Sequence, residues 1–269
     1  MQFRYDFLLS ELLLRVESPR ELHIPDNFRA FLLESAPTQN PDLILRFHFS
    51  PVSHGERETN PMEIIDTVYG ESVLRQESSG RGSPCRIFIP PSFADAFCKN
   101  GNWLLYIPLP RMMLPFDRFF LHASAVLYQG KAFLFSAPSG VGKSTHAALW
   151  QQHFGAKLLN GDKVLIEVRD GQCIAHGSPV AGSSGIYERD SAPIAAVYLL
   201  KQEKENAITP LSPRAALMAL YSEAIKDKND PAFNAKLLDL ITRTLSRVPV
   251  RCLGCLPEKS AVECVLADQ

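Results

Sequence analysis

The stretch Ser136-Ala-Pro-Ser-Gly-Val-Gly-Lys-Ser-Thr145 limits what the chain around it can become. It follows the apolar run Lys131 to Ser136 and precedes Ser144 to His153, a run with no breaker before Gly155. Two glycines, a lysine and two hydroxyls in that setting predict a strand, a tight loop and a helix in direct succession. The pattern is close to G-x-x-x-x-G-K-[ST], whose backbone N–H groups turn inward round phosphates while an ammonium reaches them and a hydroxyl takes Mg²⁺. The candidates for nucleotide binding are Ser139, Gly140, Val141, Gly142, Lys143, Ser144 and Thr145, with Ser144 also the metal ligand. A helix starting at this point adds the favourable end of its dipole. Ala137 stands where the pattern has its first glycine, and its methyl matters only if the backbone needs positive φ or lies against another chain. The competing reading is an ordinary Gly/Ser turn; a strand before and a helix after favour the phosphate loop.

Phosphoryl transfer also needs a carboxylate to hold the metal or to orient the attacking hydroxyl. Asp162 fits, because Ala156 to Asn160 reads as a strand that ends at Gly161-Asp162. An aspartate after Asn-Gly is also ordinary turn chemistry.

Bulk properties narrow the partners. Within 269 residues, 28 basic and 29 acidic side chains leave a formal charge of -1, so no overall field draws the chain to nucleic acid or an anionic membrane. Arg4, Asp6, Glu11 and Arg15 interrupt the first apolar runs, leaving no signal-like or membrane-spanning stretch there. Six cysteines are too sparse for a disulfide framework, and a cytoplasmic protein is expected. Cys252-Leu-Gly-Cys255 lacks a second ligand pair for zinc, and buried cysteines flanking a strand are the preferred reading.

Composition places a boundary near residue 110. Residues 1–110 carry the short apolar runs FLLSELLLRVE, LILRFHF, SVLRQES, CRIFIPP and NWLLYIPLP, read as strands of an N-terminal, mainly β substrate or accessory domain. SPVSHGERETNP and ESSGRGSPC read as polar loops. In residues 111–269, Ser124 to Tyr128 and Lys131 to Ser136 form a hairpin across Gln129-Gly130; Lys163 to Val168 and Gln172 to His176 form another across Asp170-Gly171. Ala195 to Leu200 is a buried strand, Lys201 to Asn206 a solvated turn. The tail is predicted helical, with Ser212-Pro213 and Asn229-Asp-Pro231 as helix starts. His146 and His153 are expected on a partly exposed helix face.

His122-Ala-Ser-Ala-Val, the first hairpin, SAPSGVGKST and LLNGDKVLI together resemble the kinase domain of the HPr kinase/phosphorylase family, over about Leu121 to Ile166 and more loosely to His176–Gly185. The resemblance implies a mixed, β-rich α/β fold related to phosphoenolpyruvate carboxykinase, with C-terminal helices. It implies ATP and Mg²⁺, with Gly140, Gly142 and Lys143 on phosphates, Ser144 and Asp162 on the metal, and His122 near the γ-phosphate. Asp162, Lys143 and His122 would then be the catalytic group. The acceptor implied is a serine-like hydroxyl on a peptide, protein or small metabolite. Gly161 departs from the family, occupying the first place of its Asp-Asp pair. Two expectations follow: a kinase in which Asp162 suffices, or an impaired nucleotide-binding scaffold in which Gly161→Asp would raise transfer. The role of the 176–185 loop, HGSPVAGSSG, stays open between contact with the acceptor or the metal and plain connection of strands.

Overall fold

A computed structural model describes residues 1–51, 63–68, 71–76, 83–180 and 182–269. Most of the two polar loops expected at 50–61 and 77–85 lies outside the described residues. The chain divides into two compact units, Met1–Pro108 and Leu109–Gln269. It is a β-rich α/β protein with two mixed sheets.

The first unit holds β1 (Phe3–Leu9), β2 (Leu12–Ser18), β3 (Leu43–His48), β4 (Glu63–Val68), β5 (Glu71–Gln76) and β6 (Pro84–Phe88), with the short helices α1 (Asp26–Arg29) and α2 (Ala94–Cys98). The strands lie in the order β1-β2-β3-β6-β5-β4, parallel at β2–β3 and β3–β6 and antiparallel elsewhere. FLLSELLLRVE is a hairpin rather than one run: Ser10 and Glu11 turn the chain at φ of 50° and 66° and pair Leu9 with Leu12. NWLLYIPLP is not a strand. Gly101, at φ of 72°, starts a 3₁₀ helix at Asn102–Tyr106 that buries Trp103 beside Phe7 and Phe28, with the indole N–H donating to His23 O at 2.8 Å. Aromatic packing and a satisfied buried N–H outweigh the strand propensity of that run.

The second unit begins with α3 (Leu109–Met113) and then runs β7 (Arg118–Tyr128), β8 (Lys131–Ser136), α4 (Lys143–Phe154), β9 (Lys157–Asn160), β10 (Lys163–Val168), β11 (Cys173–His176), β12 (Ser191–Gln202), β13 (Ala207–Pro210), α5 (Pro213–Glu223), α6 (Pro231–Leu245), β14 (Val250–Cys255) and α7 (Lys259–Ala267). Its main strand order is β11-β10-β7-β8-β12-β14-β13, with β9 on β7 and β11 also paired to the start of β12. β8, β12 and β14 are mutually parallel and end on the same edge. The two-residue period of β8 serves two layers. Ala132 and Leu134 face Ala216 and Leu220 of α5 and Leu237 and Ile241 of α6, whereas Phe133 and Phe135 face Trp150 of α4 and Val262 of α7. A bulge between Ile194 and Ala196 resets the register of β12 against β8.

Both helix starts expected in the tail are capped as their sequence implies: Ser212 Oγ accepts from Ala215 N–H, and Asp230 from Phe233 N–H. The tail is not wholly helical, because β14 inserts as a parallel strand carrying Cys252 and Cys255. All six cysteines are free thiols, and no described helix is long and apolar enough to cross a membrane.

Candidate functional site at the end of the parallel strands

The carboxyl ends of parallel strands gather loops and helix N-termini, the usual place for ligands in such sheets. Here β8 feeds the 136–142 loop and α4 starts at Lys143. Positive φ falls at Gly140 (83°) and Gly142 (120°), where a side chain would be strained. Ala137 is not among the positive-φ residues and is 4% exposed, its methyl packed in the core with Phe135 and Ala147. The missing glycine therefore costs the loop nothing conformationally. Two fully buried serines tie the loop to β7: Ser136 Oγ donates to His122 O at 2.8 Å and Ser124 Oγ to Lys143 O at 3.1 Å. Gln202, at the end of β12, donates its amide to Val141 O at 3.1 Å, so the 201–206 run meets the loop as well as solvent.

Lys143 is 8% exposed and its ammonium donates to Ala137 O at 2.7 Å. Burial pushes its pKa down, against the opposing pull of the Glu223 and Asp162 carboxylates. Ser144 and Thr145 are exposed on the first turn of α4. His146 corrects the expected exposed face: it is 3% exposed, its ring 4.3 Å from that of Phe135, and its Nε2 accepts from Trp150 Nε1 at 3.2 Å. The sheet side of α4 needs that volume, while His153 stays exposed. Burial drives the His146 imidazole down to about 4.

Asn160 builds the turn that presents Asp162. Its Oδ1 accepts from Asp162 N–H at 2.9 Å and Lys163 N–H at 2.8 Å, and its amide donates to Ser178 O at 3.0 Å. Asp162 Oδ1 then lies 3.1 Å from His122 Nε2, and the other ring nitrogen, Nδ1, lies 3.1 Å from Glu223 Oε2 at the end of α5. Lys163 Nζ is 3.7 Å from Asp162 Oδ2. The structure thus brings His122, Lys143 and Asp162 to one edge and adds Glu223 and Asn160, which sequence reasoning passed over. The Asn-Gly-Asp turn was a visible signal for Asn160; nothing local marked Glu223, 101 residues from His122.

The 176–185 segment packs on the same carboxylate. A Cβ at Gly182 would lie 2.6 Å from Asp162 Cγ, so glycine is needed for that approach. At Gly161, a Cβ would lie 2.5 Å from Ser184 Cβ and closer still to its hydroxyl. The position expected to have room for a restored carboxylate is already occupied, because the loop has closed over the glycine.

Two cavities flank the 136–142 loop. One of about 390 Å³ is lined by Thr145, His146, Leu149, Leu200, Cys255 and Pro257, among others. Another of about 750 Å³ runs along Ser136 to Val141 to Lys201, Ser222 and Glu223. Among the described residues no group of three or more His, Cys, Asp or Glu side chains is placed to hold a metal by itself.

No family model matches the chain, and no curated protein matches it. Among solved structures, the chain bears a distant likeness to the Hpr(Ser) kinase/phosphatase from Coxiella burnetii, at 15% identity and a TM-score of 0.34, covering 55% of this chain and 94% of that one.

Proposed function

We propose that the chain is an ATP-dependent phosphotransferase that moves the γ-phosphate of ATP to a serine-like hydroxyl of a peptide, protein or small molecule. The observation that carries this reading is the buried ammonium of Lys143. It stands at the first turn of a twelve-residue helix, held by a loop carbonyl, with Asp162 and Glu223 acting on it electrostatically. A charge kept there at a desolvation cost favours a polyanion that draws on the same helix N-terminus.

In this reading Ser139 to Gly142 supply inward amides, and Lys143 stabilises charge developing on the transferred group. The exposed Ser144 hydroxyl and the Asp162 carboxylate are hard oxygen donors of the kind Mg²⁺ takes alongside phosphates and water. Bound there, the ion would neutralise phosphate charge. The acceptor oxygen attacks the γ-phosphorus, the bond from that phosphorus to the β–γ bridging oxygen breaks, and the hydroxyl proton passes to Asp162. The smaller cavity, against Thr145, suits the nucleoside end, and the larger, bordered by Glu223, suits the acceptor. Free thiols throughout agree with a cytoplasmic setting.

One observation favours the impaired scaffold: the place beside Asp162 where a second acid would stand is filled by Ser184. Labelled γ-phosphate from Mg·ATP, followed into the macromolecular and small-molecule fractions of an extract, separates the two. Transfer that falls at least about a hundredfold with Lys143→Ala supports the kinase. No lysine-dependent label, where Mg·ATP binding is independently measured, leaves the scaffold.

A further inference from the structure

A carbonyl and the N–H that follows it belong to one planar trans peptide and point in opposite directions. The Val141–Gly142 peptide is trans, so Gly142 N–H points away from whatever holds Val141 O. Gln202 holds it: the side-chain amide donates to Val141 O at 3.1 Å. Gly140 and Gly142, at φ of 83° and 120°, flank this peptide and leave it little orientation of its own. The next peptide is fixed by the helix, because His146 N–H donates to Gly142 O at 2.9 Å.

The sheet delivers Gln202 to this place. β8 ends at Ser136, opposite Leu199, and the chain turns there into the loop. β12 runs on to Gln202, still paired on its other side with Cys255 of β14. By the two-residue period Gln202 shares a face with Tyr198 and Leu200, which belong to the apolar cluster of Trp150 on α4. It is the polar side chain with which that face ends, beside the start of α4. The two cavities meet at the same point, since Gly140, Val141, Leu200, Gln202 and Glu203 border both.

We propose that Gln202 is a positioning residue of the phosphate loop: by holding Val141 O outward it turns Gly142 N–H inward, beside the N–H groups of Lys143 and Ser144 that open α4. The first N–H groups of a helix have no intrahelical acceptor, so these donors converge on one anion. During transfer the inward N–H meets the charge that builds on the β-phosphate as the γ-phosphorus leaves it. The contact of Gln202 with Val141 is independent of the reaction, but its role in turnover rests on the phosphotransferase reading.

Val-Gly occurs once in the chain, at 141–142, so carbonyl-¹³C valine with ¹⁵N glycine isolates this one peptide in an NMR spectrum of the full chain. Gln202→Met keeps the length of the side chain and removes the donor; Gln202→Lys keeps a donor at similar reach. The carbonyl signal is expected to move upfield in the methionine variant and to stay near the wild type in the lysine variant. Affinity for Mg·pyrophosphate and for Mg·ATP, measured by calorimetry, is expected to fall about tenfold or more in Gln202→Met, and in Gln202→Lys not to fall. The Gln202 side chain is exposed, so the denaturation midpoint should hold in both. An unmoved carbonyl signal overturns the proposal whatever binding does. So does a moved signal with unchanged affinity, or an affinity loss that a falling denaturation midpoint tracks. A moved signal in a chain whose wild type binds neither Mg·pyrophosphate nor Mg·ATP upholds the hold of Gln202 on the peptide and removes the phosphotransferase reading instead.

Discussion

Adding a single methyl at Gly161 tests whether the 182–186 segment is locked over the site. Gly161 has no positive φ, so alanine meets no backbone strain there, and the cost of Gly161→Ala is steric. A Ser184 rotamer change can move the hydroxyl away, but not the Ser184 Cβ at 2.5 Å, so backbone has to shift. Overpacking of that kind costs about 1–3 kcal/mol. Against it stands a gain of about 0.4–1 kcal/mol from restricting the unfolded chain. The clean quantity is therefore the coupling in a double-mutant cycle with Ser184→Gly, in which the unfolded-state gain cancels. It should be about 1–3 kcal/mol, with Gly161→Ala far better tolerated once Ser184 is trimmed. Chemical denaturation of the four variants measures it. In thermal unfolding each kcal/mol corresponds to roughly 2–4 °C for a unit of this size. A coupling below about 0.5 kcal/mol would refute the packing argument. The same geometry reverses the expectation for Gly161→Asp: it should lower transfer, because the intruding side chain displaces the segment that packs on Asp162.

Acid should destabilise the second unit in two separate windows. Burial holds His146 at about 4, below its unfolded value of about 6.5, so the stability present above pH 6.5 is lost as pH falls toward 4, by about 3 kcal/mol. Burial acts to raise Glu167, but hydrogen bonds with His176 and Arg169 and the charge of Arg118 hold it at about 2. Its contribution, of the order of 3 kcal/mol, is present above about 4.5 and disappears as pH falls toward 2. Denaturant midpoints from pH 7 to 2 should show both steps, and His146→Gln should remove only the upper one; a flat profile between pH 7 and 4.5 contradicts neutral burial. In the first unit, Glu11→Gly relieves a side chain held at φ of 66° and should raise stability by about 0.5–1 kcal/mol, read as a shift of the denaturation midpoint.

Legibility followed sequence distance. The Gln129-Gly130 and Asp170-Gly171 hairpins, the helix after Gly142 and the caps at Ser212 and Asp230 were readable because each is specified within a few residues. The strand at Cys252 to Cys255 was readable, but not its place in the sheet, because a short apolar run after a helix carries no mark of parallel pairing, which depends on β12 some fifty residues earlier. Trp103 drew its segment out of extended structure through partners at Phe7, Phe28 and His23.

The amino-acid order alone determined the strand, the glycine-bearing loop and the helix that begins at Lys143. Positive φ at Gly140 and Gly142 and an unbroken helical run are local properties. Tertiary structure decided the surroundings of that loop: the burial of His146, the Ser184 side chain against Gly161, and the arrival of Glu223 at His122. Those outcomes depend on which strand ends share an edge and how closely loops pack across it, and only the folded sheet supplies that.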